Sequence, residues 1–261
     1  MSATSSAARA WAWDGSLESL LILADLALSA GSWPGSLRSP QPPEAGLFDE
    51  AEAGEPCGAD PRAAEGALGR LRARGGPLYG LCLEAWMSEE GVEPQLLSLA
   101  SALGRGEAGA AEDYARPETR ILRAACSRVE REVHRLQGLA RFSPRSDGLY
   151  SALLEPDHNV LPALLPHFAR RFGGQAFALV DLRRRVAYLS RGGRIEALSG
   201  EEAIALGPDR SDEDAQALWR GYFQAIENPA RRNPGLQKRL MPARYWKHLP
   251  ELARIGERES V

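Results

Sequence analysis

LARFSPRSDGLYSALLEPDHNVLPALLPHFARRFGGQAFALVDLRRRVAYL, residues 139–189, decides the fold of this chain through its changes of period. Up to Gly138 the apolar residues recur at helical spacing, whereas beyond it they alternate or run continuously, as strands do. Residues 139–156 read as a hairpin turning near Pro144 to Gly148. A helix from about His158 through Arg171 follows and stops at Gly173-Gly174. Residues 177–189 read as a second hairpin with its tip near Leu182 to Arg184. Two hairpins around a helix predict an α+β fold, a small antiparallel sheet of about four strands packed by helices.

Upstream lies the most regular helix of the chain, about 119–137. With Leu122 at zero and about 100° per residue, Ala125, Cys126, Val129, Val133 and Leu136 fall within roughly 60° of it. Arg120, Arg128, Arg131 and Arg135 land between about 160° and 240°, flanked by Glu130 and Glu132. One face is therefore core and the other an arginine stripe.

The N-terminal part reads as a strand at Trp11–Trp13 and a helix capped by Ser16 that runs to about Ser29. A Gly-, Pro- and acid-rich loop over 31–61 follows, anchored by Leu47 and Phe48. Helices are then predicted near 61–74, 76–90 and 93–103. Beyond the second hairpin, Ser211 and Asp214 suit the start of a helix. In it Trp219, Tyr222, Phe223 and Ile226 recur at helical spacing, so these aromatics are expected to be chiefly core. Asn228-Pro229 ends that helix, and Pro242 opens a last one that turns Tyr245, Trp246 and Leu249 inward.

Charge divides the chain. Residues 1–115 hold 7 Lys/Arg against 17 Asp/Glu, and residues 116–261 hold 25 against 18. The organisation expected is an acidic, mainly helical region over 1–115, a basic α+β domain over 116–251, and a flexible tail at 252–261. No run of about 18 apolar residues appears, so no membrane span is expected. Cys57, Cys82 and Cys126 are odd in number and far apart, which suits reduced thiols in a cytoplasmic protein.

Few residues suggest catalysis. His134 and His167 are the candidates for a general acid/base. His158 reads as a helix-start residue, and His248 as part of a basic surface. Glu155 and Asp157 suit helix-start electrostatics, and Asp181 a solvated charge cluster at the hairpin tip. No spacing of His, Cys or acids forms a metal motif, and no Walker loop, dinucleotide fingerprint or nucleophile elbow occurs, so no cofactor is expected. The basic residues form a more coherent set. Arg128, Arg131, Arg135 and Arg141, with Arg231, Arg232, Lys238 and Arg239, are the candidate contacts to a DNA backbone, because guanidinium forks match phosphate oxygens.

The pieces WDGSLESLL (13–21), LFDE (47–50), EVHRLQGLARF (132–142), LEPDHNVLPALLPHFARRF (154–172), FALVDLRRRVA (177–187) and NPARRNPGLQKRLMPARYWKHLPE (228–251) stand in the order seen in a bacterial family that this chain resembles. That family comprises putative DNA metabolism or repair proteins built around a domain of unknown function. Its members are typically encoded beside a radical-SAM protein thought to modify or repair DNA, and the domain also occurs fused to uracil-DNA glycosylase-like domains. The resemblance implies an accessory protein of DNA repair or modification, with a radical-SAM partner performing the chemistry. Two alternatives stand beside it: an enzyme acting on DNA or nucleotides through a histidine, and a scaffold without nucleic-acid contact.

Overall fold

A short parallel pair opens the chain, with β1 (Trp11–Ala12) set against β2 (Leu37–Arg38). The computed structural model describes residues 10–38, 60–74, 76–207, 213–226, 228 and 233–249. Leu47, Phe48, Cys57, Ser211, Arg231, Arg232 and the tail 252–261 lie outside the described residues, as do the side chains of Asp214 and Phe223. The chain divides into two units, residues 1–130 and 131–261.

The first unit is helical. Its helices are α1 (Leu17–Ala30), α2 (Pro61–Arg74), α3 (Leu78–Ser88), α4 (Glu93–Gly104) and the first part of α5 (Pro117–Leu139). Ser16 caps α1 as expected, its Oγ accepting the Ser19 amide at 3.1 Å. Leu20, Leu71, Leu78, Leu81, Leu96, Leu97 and Leu122 are buried together in one core. The loop expected over 31–61 begins with order instead. Trp33 packs on that core and donates from its indole to Ser98 Oγ at 3.0 Å, and Leu37–Arg38 pairs as a strand. A Trp and a Leu can offset the entropy of ordering a Gly- and Pro-rich segment where they reach a core.

Gly104, the last residue of α4, lies against the end of α1. A Cβ at this position would collide with the Leu28 carbonyl oxygen and stand 3.0 Å from Gly31 Cα. Gly104→Ala should therefore destabilise the first unit by about 1–3 kcal/mol through overpacking. The gain in helix propensity of up to about 1 kcal/mol does not offset that. Urea unfolding checks it; unchanged or higher stability would mean that α1 and α4 part easily.

The second unit carries a mixed five-stranded sheet, β3 (Ser143–Pro144), β4 (Tyr150–Leu154), β5 (Phe177–Asp181), β6 (Val186–Arg191) and β7 (Arg194–Ser199), ordered as in the sequence. Both expected hairpins are present. β3 pairs antiparallel with β4, and β5 with β6. The expected four-stranded antiparallel sheet needs two corrections. β4 and β5 are parallel, with Tyr150 opposite Phe177 and Leu154 opposite Asp181. Helix α6 (Leu161–Phe172) rises about 1.5 Å per residue, enough to carry the chain back to the end where β4 began. The returning strand then runs in the same direction. The second correction is the fifth strand, formed because Gly192 and Gly193 take φ of 58° and 77° and close a tight hairpin between Arg191 and Arg194.

β5 is buried along its whole length between β4 and β6, which is why FALV shows no alternation. Helix α6 packs on β5 and β6. The rings of Phe142, Phe168, Phe172 and Phe177 meet, with centroid separations of 4.6 Å for Phe142–Phe172 and 5.1 Å for Phe172–Phe177. α7 (Gly200–Ile204), α8 (Glu213–Ile226), α9 (Pro234–Leu240) and a closing 3-10 helix (Ala243–His248) complete the unit. Tyr245, Trp246 and Leu249 are buried as expected, with Trp246 and Leu249 packed by Leu139 and Met241. For the three expected core residues of α8 whose side chains are described, the expectation of a core position is overturned. Trp219, Tyr222 and Ile226 are exposed at 37%, 54% and 59%. Helical spacing shows that apolar residues share a face, but not that anything covers it.

Candidate functional site

The segment Glu155-Pro156-Asp157-His158, between β4 and α6, is gripped from three sides within the second unit, by α5, by the turn after β5 and by the closing 3-10 helix. At its centre stands Glu132 of α5, which is 2% exposed. Its Oε1 accepts the Asp157 amide at 2.9 Å and the Tyr245 hydroxyl. Its Oε2 accepts the His158 amide at 2.9 Å and lies 2.5 Å from His158 Nδ1. Burial alone would raise the Glu132 pKa, but these bonds outweigh it and hold the carboxyl below its ordinary range. The ionised carboxylate needs a donor, so the His158 ring carries its proton on Nδ1.

The same segment is held by its carbonyls. Arg184 donates from Nη1 to Pro156 O at 3.1 Å and from Nη2 to Asp157 O at 2.8 Å. Asp181, fully buried at the end of β5, orients that fork at 2.8 Å and accepts the amides of Arg183 and Arg184. The segment's own side chains face the C-terminal helix. Asp157 pairs with Arg244 at 2.5 Å, and Arg244 also donates to the Tyr245 hydroxyl at 2.9 Å. Glu155 meets Lys247 Nζ at 2.5 Å and His248 Nε2 at 3.1 Å. Burial would raise the Glu155 pKa, but Lys247 and His248 bring it below the usual value. For His248 burial wins over the Glu155 charge, and its pKa lies below 6.5.

Both oxygens of Glu132 are saturated. It is an anchor, not a base poised for a substrate, and it fastens α5, the segment 155–158 and the closing helix to one another. Several sequence expectations are corrected by this geometry. Glu132 does not flank a solvated stripe. Asp181 is not part of a solvated cluster. His158, Glu155 and Asp157 serve tertiary bonds, since α6 starts only at Leu161 with Val160 as its cap. His248 is half-buried on Glu155 and not merely surface. The signal for Glu132 was present, because Val129, Glu132 and Leu136 recur at the spacing of a buried face.

The catalytic candidates stay apart from this arrangement. His134 is exposed on α5, and His167 is half-buried with its ring edge-on to Phe168 at 4.9 Å. Neither has a carboxylate partner among the described residues. Also among the described residues, no group of three or more His, Cys, Asp or Glu could hold a metal ion, and no helix is long and apolar enough to cross a membrane.

The basic candidates separate into kinds. Arg128, in the first unit, is paired with Glu90, its Nε donating at 2.7 Å. Arg131 is exposed and Arg135 half-buried, and Arg239 is exposed on α9; none of the three has an ion-pair partner among the described residues. Arg141 donates to Gly138 O at 2.9 Å, and its guanidinium lies 5.3 Å from the centre of the Trp219 ring. Lys238 lies 5.9 Å from the centre of the Trp246 ring.

Residues drawn from EVHRLQGLARF, LEPDHNV, DLRRRVA and MPARYWKHLPE thus converge on one anchor. A family model, Domain of unknown function (DUF4130), matches residues 91–251. The chain belongs to the DUF4130 family. Its match contains every residue of the Glu132 arrangement and the whole five-stranded sheet. No curated protein and no solved structure matches the chain.

Proposed function

We propose that this DUF4130 chain is an accessory protein of DNA repair or modification that binds the DNA backbone and docks to a radical-SAM partner. One observation supports the DNA part. In the second unit the buried acids Glu132 and Asp181, and Glu155 and Asp157 nearer the surface, are engaged by internal bonds. Arg131, Arg170, Arg171 and Arg239 meanwhile face solvent with no acidic partner among the described residues. Three of those acids use up Arg184, Arg244 and Lys247 in turn, so the basic excess of this half of the chain is carried by such solvent-facing arginines. Guanidinium groups so placed favour a polyanion through counterion release. The radical-SAM partner rests on the family resemblance.

Fluorescence anisotropy with a labelled 20-nucleotide DNA checks the binding. The affinity should fall steeply with salt, and each phosphate contact removed should lower the log–log slope by about 0.7–0.9. The triple change Arg131→Glu, Arg135→Glu and Arg239→Glu should weaken binding by about tenfold or more near 50 mM salt. Absence of binding at low salt, both alone and after co-purification with the radical-SAM partner, would sink the DNA part.

A further inference from the structure

The five-stranded sheet ends on β3 at one side and on β7 at the other. β3 is two residues long and contains Pro144, so its edge offers almost no row of donors and acceptors. β7 is six residues long, contains no proline and is exposed from Arg194 to Ala197. Its phase is fixed at one end by the two-residue hairpin that pairs Arg191 with Arg194. At the other end the Gly200 amide donates to Arg185 O at 2.8 Å. Arg194, Glu196 and Leu198 therefore bond to β6. Ile195 and Ala197 turn their amides and carbonyls to the open edge, where these groups have no partner among the described residues. Charge on this edge is unpaired as well. Arg194 stands opposite Arg191, a like-charge pair, and neither arginine nor Glu196 has an ion-pair partner among the described residues.

We infer that a second copy of this chain covers this edge, β7 pairing antiparallel with β7 about a twofold axis at Ile195. Charge selects both the occupant and the register. Basic Arg194, apolar Ile195 and acidic Glu196 become their own complement when the strand is reversed. Centred on Ile195, the pairing sets Arg194 of each copy against Glu196 of the other. These are non-hydrogen-bonded pairs, in which opposed side chains come closest. The incoming glutamate also offsets the repulsion between Arg194 and Arg191. A register centred on Glu196 would oppose two glutamates, and one centred on Ala197 would pair neither charge. On the other face Ile195, 54% exposed in the single chain, meets Ile195 of the second copy. The open amides and carbonyls of Ile195 gain partners at the same time. One strand pair is small beside a standard interface, so the dimer forms by mass action as concentration rises. In the dilute solution of an unfolding experiment Glu196 stays in water.

Sedimentation velocity of the full chain from about 1 μM to about 1 mM tests the pairing, a range that captures even a weak association. Wild type should pass from monomer to dimer. Arg194→Glu and Glu196→Arg should each raise the dimer dissociation constant by about tenfold, because two attractive pairs become two repulsive ones. Mixed in equal amounts, the two variants should dimerise as wild type does, since each then meets opposite charges. Ile195→Pro removes a donor that β6 does not use and should leave the chain monomeric. Circular dichroism melting confirms that each variant folds. A wild type that is monomeric throughout overturns the proposal. So does a dimer that these changes leave intact, or a mixture of the two charge variants that stays monomeric.

Discussion

Glu132→Ala is expected to destabilise the second unit by about 3–5 kcal/mol. The carboxylate is 2% exposed and takes two backbone amides, the Tyr245 hydroxyl and the His158 ring. Alanine leaves those donors buried without partners, each costing about 1–3 kcal/mol less whatever a trapped water restores. Urea unfolding followed by circular dichroism measures the loss. Glu196→Gln, at an exposed position on β7, is the control and should stay within about 0.5 kcal/mol. A Glu132→Ala protein as stable as the control would show that the arrangement is incidental.

Acid stability reports the same bonds. The folded-state pKa of Glu132 lies below the ordinary 4.5, and so does that of Glu155. Their stabilisation is complete above about pH 4.5 and is lost as pH falls through the lower folded-state values. His248, also depressed, from 6.5, contributes stability that is present above that value and declines as pH falls below it. Stability should therefore fall in two stages, and Glu132→Ala should flatten only the more acidic one.

The second large effect is expected at Arg184. Its side chain is 13% exposed and is the cationic partner of the fully buried Asp181 carboxylate. Arg184→Met keeps much of the packing volume but strands that charge and the Pro156 carbonyl, and takes from Asp157 O the shorter of its two arginine bonds. A loss of about 3–5 kcal/mol follows for a buried pair broken on one side. Arg183 cannot replace it, being exposed and reaching only Asp157 O at 3.3 Å. Arg184→Lys should fall between, since an ammonium lacks the fork that spans both carbonyls and the carboxylate. Asp181→Asn combined with Arg184→Met should recover part of the loss, and the coupling is read from the double-mutant cycle. Faster hydrogen exchange at the Asp157 and His158 amides would place the loosening in the segment itself. Equal stability of Arg184→Met and wild type would remove the pair from the account.

How far these features were legible varies by residue. Helices of the first unit followed from caps and periodicity, which are local: Ser16 before α1 and the leucine spacing of α3. Both hairpins followed from turn chemistry. β7 carried a local signal too, the adjacent Gly192 and Gly193, which mark a tight hairpin once a strand is sought on their far side. The parallel pairing of β4 and β5 carried none, because strand direction follows from where a crossover helix returns the chain. The Glu132 arrangement joins residues up to 113 positions apart, a distance that no periodicity spans.

Charge shows the same division most sharply. The sequence by itself determined the α+β class, the helical N-terminal part, the basic second half and the family, because propensity, turn chemistry, composition and ordered motifs are properties of short segments. It could count the acids and arginines without pairing them. Only the tertiary structure decided that Glu132 and Asp181 are buried anchors, that Arg128 is neutralised by Glu90, and that the aromatic stripe of α8 faces outward. The physical reason is that burial and pairing depend on which segments meet, and long-range packing sets that, not the period of any one element.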